Sequence, residues 1–124
     1  MKNRLLAVAA GLLMASSPLI AHHNQASFNT QVVTTLTGTV KEFHWMNPHS
    51  MMLLSVKDDK GEVTDWAIEL APPNSLHRDN GWTSTTFKPG DRVTVDGNAY
   101  KDGRKIMRPV RMIMPDGKEF RGRF

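Results

Sequence analysis

Hydrophobic and polar positions alternate most cleanly between Glu62 and Leu70. Thr64, Trp66, Ile68 and Leu70 fall on one face and Asp65, Ala67 and Glu69 on the other, the period of a strand with one buried face. Val32 to Trp45 is a second such run, rich in Val, Thr and aromatics, with Leu36, Gly38 and Val40 in phase but Phe43 and Trp45 on the opposite parity. That switch, with a glycine inside the run, predicts a bulge or a strong coil that lets one strand serve two parts of a sheet. His49 to Lys57, Arg92 to Ala99 and Ile106 to Met114 complete five predicted strands. Turn chemistry separates them at Asn47-Pro48, Asp58 to Gly61, Lys88 to Asp91, Lys101 to Arg104 and Pro115 to Gly117. Pro72-Pro73 stops the third strand, and Asn74 is placed to cap a short helix through Leu76, His77 and Arg78 that ends at Asn80-Gly81.

Three strands, a short helix and two strands make an all-β chain with one helix. The long coiled first strand and the position of the helix resemble a five-stranded OB-like barrel, the oligonucleotide/oligosaccharide-binding architecture. A small β-sandwich is the alternative.

The first 21 residues have another character. Lys2 and Arg4 precede an apolar run from Leu5 to Met14, followed by small residues, Pro18 and Ala21, the layout of an export signal cleaved near Ala21. The run is too short to span a bilayer, and no second one follows. The expected organisation is a signal peptide over 1–21, a flexible arm over 22–31 anchored only by Phe28, and the barrel over 32–124. The expected location is the periplasm. The absence of cysteine removes disulfides, thiolate metal sites and covalently attached haem from consideration.

Loss of the signal leaves 103 residues, one domain's worth. It also takes Lys2 and Arg4 from the sixteen Lys and Arg, leaving fourteen against twelve Asp and Glu, so the formal charge falls from +4 to +2. Only the tail residues Lys118, Arg121 and Arg123 approach a basic cluster. Solvated surface charge accounts for them, and no nucleic-acid partner is expected.

His22-His23, Leu36 to Val40, the Trp45-x-Asn47-Pro48-His49 block, Trp66 with Glu69, Leu76 to Trp82, Lys88-Pro89-Gly90-Asp91 and Lys101-Asp102-Gly103 occur in that order. This resembles a family of small exported bacterial proteins catalogued as a domain of unknown function. The resemblance covers nearly all of the chain beyond the signal and implies a periplasmic location and one small β-rich domain. It implies no activity and no catalytic residue.

Three chemistries compete. An aromatic face with convergent polar groups suits flat organic ligands. The corner Trp45, Asn47 and His49, edged by Glu69, Arg78 and Trp82, is the candidate ligand site. Trp66 shares a face with Ile68 and Leu70 and reads as core, and Trp82 suits a plug on the barrel end with its N–H bonded. Copper is the alternative, because cleavage after Ala21 exposes an α-amine beside His22 and His23, with His44 and His49 as further nitrogen ligands. Met46, Met51 and Met52 lie nearby, where core filling is the ordinary use. Glu69 with His49 could form an acid/base pair, but a hydrogen bond between them is the simpler reading. No nucleophile elbow, HExxH or phosphate loop occurs. The expectation is a monomeric, non-enzymatic binding or accessory module whose partner is a small molecule or an envelope protein.

Overall fold

The computed structural model describes residues 27–122 and 124. Its elements are β1 (Thr34–His44), β2 (Met51–Lys57), β3 (Val63–Glu69), α1 (Pro73–Asn80), β4 (Arg92–Ala99), β5 (Ile106–Ile113) and β6 (Glu119–Arg121). Strands β1 to β5 form a closed OB-like barrel. The closing seam is the parallel pairing of β3 with β5, Ala67 opposite Ile106 and Ile68 opposite Met107. That seam rules out the sandwich alternative.

β1 does serve two parts of the sheet. Thr34 to Thr39 pair with β4, and Gly38 to His44 pair with β2. The register shifts between Val40 and Glu42, and this bulge explains the parity switch. Val40 lies opposite Leu54 before it and Phe43 lies opposite Met52 after it, so both face inward although three positions apart. Gly38 sits where the two pairings overlap. A Cβ there would lie 2.4 Å from the Ser55 carbonyl oxygen and 2.9 Å from Leu54 Cγ, so only glycine lets the strands approach this closely.

Val40, Met52, Leu54, Ile68, Val95, Met107 and Met112 fill the interior, none more than 1% exposed. Trp82, 3% exposed, closes one end. Phe87 and Phe120 meet its ring edge-on at 5.0 and 5.4 Å, and Phe124 stacks on it at 5.5 Å. Trp66 is half-buried against the core, and the Lys105 ammonium lies 5.1 Å from its ring centre.

Three expectations need correction. The helix begins one residue before Asn74, with Pro72 at its N-cap and no side-chain cap bond. Pro73 lacks the N–H that a first-turn residue leaves unused, so it starts the helix at no cost. A sixth strand follows the expected five: β6 pairs with β5 through Arg111 to Ile113, while Lys118 and Arg121 stay exposed as expected. The Asp116-Gly117 turn, with Gly117 at φ 85°, folds it back. Finally, the described part of the expected flexible arm is docked. Phe28 is 2% exposed and bridges Tyr100, while the Asn29 N–H donates to the Ala99 carbonyl at 2.8 Å. A fully buried phenylalanine is worth roughly 2 kcal/mol, enough to hold a short segment.

Candidate functional site

The corner predicted to be the site divides into two hollows. Trp45 is half-buried, edge-on to Phe43 at 5.9 Å. It lines one hollow of about 460 Å³ with Trp82, Asn74 and His77. His49 lines the other, of about 470 Å³. Asn47 is exposed, joined to Pro48 by a cis peptide bond, and lines neither.

The His49 cavity contains the more elaborate chemistry. β3 carries Glu69 and β5 carries Arg108, and the parallel seam brings them side by side. Arg108 Nη2 donates to Glu69 Oε1 at 3.0 Å, and the carboxylate side chain is only 5% exposed. A carboxylate that deep requires a cation. The Arg108 guanidinium also lies over the Phe28 ring, 4.5 Å from its centre, a stacking geometry that favours Arg over Lys. This is why the docked N-terminal segment matters to the site.

His49 does not hydrogen-bond Glu69 as expected. Its Nδ1 is 3.9 Å from Glu69 Oε1 and 3.2 Å from the Leu70 carbonyl oxygen. A carbonyl only accepts, so Nδ1 carries the hydrogen and Nε2 of the neutral ring is left as an acceptor. Arg108 occupies the place beside Glu69 that the sequence reading gave to His49. The cavity walls are Phe28, Leu70, Pro72, Pro109 and Phe124, with Asn98 and Thr30 adding polar groups. Val110 stands at its edge, 39% exposed.

The remaining expected residues lie elsewhere. Arg78 is exposed and doubly bonded to Asp79 at 2.8 and 3.0 Å. That neighbouring carboxylate raises the affinity of the guanidinium for its proton, and the pair lines neither hollow. Trp82 is plugged into the barrel end, and its Nε1 has no hydrogen-bond partner among the described residues. His44 Nε2 pairs with Glu42 at 2.8 Å on the surface. His22 and His23, like the whole signal segment, lie outside the described residues. Among the described residues no cluster of three or more His, Asp or Glu could hold a metal ion, and no helix is long and apolar enough to cross a membrane.

Sequence reasoning missed Arg108 and Asn98, and it read Phe28 as an anchor without placing it in the site. Arg108 did carry a signal, a charge between Met107 and Pro109 within an apolar strand, but its partner is invisible until the seam is known.

A model of the family of unknown function DUF6152 matches residues 9–107. The chain belongs to this family. The DUF6152 match takes in Phe28, His49 and Glu69 and stops one residue before Arg108. No curated protein matches the chain. Among solved structures, the mitochondrial single-stranded DNA-binding protein Rim1 of S. cerevisiae aligns with 73% of this chain and 95% of its own. The TM-score is 0.48 and the identity 10%, a likeness too slight to bear on ligand or role.

Proposed function

We propose that this member of DUF6152 is an exported, periplasmic, non-enzymatic binding module that takes a small ligand in the His49–Arg108 cavity. The carrying observation is the near-buried Glu69–Arg108 pair beside half-exposed His49 in a hollow of about 470 Å³ with apolar walls. Apolar walls with a few fixed polar groups are what small-molecule sites have in common. The signal-like pattern of residues 1–21 supports the location. The non-enzymatic reading rests on the motifs: there is no cysteine, nucleophile elbow or HExxH, and His49 is oriented by a backbone carbonyl rather than by a carboxylate. An envelope protein inserting a side chain into the same cavity would use the same groups.

Native mass spectrometry of protein released gently from its own compartment tests this. A small-molecule mass should ride on the wild type and be missing from Val110→Trp, which fills the mouth from an exposed position. The same adduct on both proteins, or none on either, would overturn it.

One observation favours the copper reading as a second. Phe28 is anchored at the rim of the cavity that contains His49, and His23 is five residues before it. That length of chain spans at most roughly 17 Å, and in this reading His22, His23 and Nε2 of His49 share one ion. An N-terminal α-amine with imidazoles suits Cu(II). Calorimetric copper titration of the secreted protein should show one tight site, lost in His22→Ala/His23→Ala and weakened in His49→Ala. Equal affinities in all three would exclude it.

A further inference from the structure

We infer that the cavity selects a neutral carboxamide with an apolar body, an inference that rests on that cavity's being the ligand site. The charge balance comes first. Glu69, 5% exposed, is matched by one cation, Arg108. An anionic ligand would place two negative charges against that cation, and a cationic ligand would compete with Arg108 for Glu69. An unmatched charge in a partly dry pocket is strongly disfavoured. A neutral ligand leaves the pair intact.

The hydrogen-bonding groups then fix the ligand's polar end. His49 spends its Nδ1–H on the Leu70 carbonyl, so Nε2 asks the ligand for a donor. Asn98 gives one of its two Nδ2 hydrogens to the Val32 carbonyl at 2.9 Å, and its side-chain oxygen is a second acceptor. Arg108 has five N–H donors, and its bond to Glu69 uses Nη2, so the others ask for an acceptor. A carboxamide supplies the N–H and the C=O on one planar group. Its substituent would lie against Phe28, Leu70 and Pro109, each buried.

The test is a two-dimensional amide spectrum of the isotopically labelled protein titrated with three isosteres: benzamide, benzoate and benzylamine. Benzamide should move the amides of Phe28, Leu70 and Val110 with an apparent Kd at least about tenfold below both charged probes, because each of those leaves an unmatched charge beside the Glu69–Arg108 pair. Val110→Trp should abolish the shifts, and His49→Phe should weaken benzamide selectively. Should His49→Phe fail to fold, the comparison of probes on the wild type decides alone. Benzoate or benzylamine moving the same amides at equal or lower concentration would overturn the carboxamide while leaving the cavity as the site. No movement of those amides by any probe would overturn both.

Discussion

Replacement of Arg108 by Met removes the guanidinium, keeps a chain of similar length over Phe28, and leaves the Glu69 carboxylate without its cation. Glu69 is 5% exposed, and stripping one partner from a buried pair costs about 3–5 kcal/mol. The Arg108 side chain is itself 30% exposed, so water reaches the pair and the cost falls to about 2 kcal/mol. Loss of the cation over the Phe28 ring adds about 0.5 kcal/mol. At about 4–8 °C per kcal/mol for a domain of this size, the melting temperature should drop by roughly 10–20 °C. Urea unfolding followed by the fluorescence of Trp45, Trp66 and Trp82 measures the change, compared at constant slope. A double-mutant cycle isolates the pair, because Glu69→Gln removes the stranded charge. Glu69→Gln/Arg108→Met should therefore recover at least about 1 kcal/mol relative to the sum of the single changes. A single-mutant cost under about 0.5 kcal/mol, or strict additivity in the cycle, would refute the ion pair as the organising feature of the site.

Other perturbations test other joints of the fold. Gly38→Ala should cost about 2–3 kcal/mol in a thermal melt, because its methyl would meet the Ser55 carbonyl oxygen at 2.4 Å; a neutral substitution would contradict the close approach of β1 and β2. The Thr35 hydroxyl, then the Arg111 guanidinium, hold the Asp96 carboxyl below its ordinary value of 3.8. Its charged form therefore stabilises the fold at neutral pH, and that contribution fades as the pH falls through the depressed value. The stability gap between wild type and Asp96→Asn should shrink as the pH falls below the ordinary carboxylate value of 3.8, and a constant gap in urea midpoints would refute the assignment. Arg78→Ala should leave the urea midpoint and ligand binding unchanged, since Asp79 on the surface is its only ion-pair partner among the described residues; a measurable loss of binding would return Arg78 to the site.

The barrel was legible because its cues are local. Period-two alternation marked β3 and most of the other strands, the turns at Asn47-Pro48 and Asp58 to Gly61 bounded β2, the parity switch between Val40 and Phe43 announced the bulge, and Pro72-Pro73 marked the end of β3. The site was legible only in part because its cues are not local. His49 and Glu69 could be singled out as polar residues beside apolar runs, but the choice of Arg108 over His49 as the partner of Glu69 is made by the β3–β5 seam, a pairing between segments 39 positions apart. Arg78 and Trp82 were grouped with the corner as a tryptophan beside a charge, and only Trp82 shares a hollow with Trp45. The Gly81 turn, at φ 72°, sends the one to solvent beside Asp79 and the other into the barrel end. β6 escaped notice because three residues are too few to show a period; Phe28 was read as an anchor, but a lone aromatic in a polar stretch carries no sign that it stacks on Arg108.

The most direct test of the account is where on the surface small molecules settle. Amide chemical-shift mapping of the labelled protein against a mixed set of neutral, anionic and cationic fragments would show it. The largest shifts should cluster at Phe28, His49, Leu70 and Val110 and vanish in Val110→Trp. Shifts centred instead on Trp45, Asn74 and Ser84, unaffected by that substitution, would contradict it.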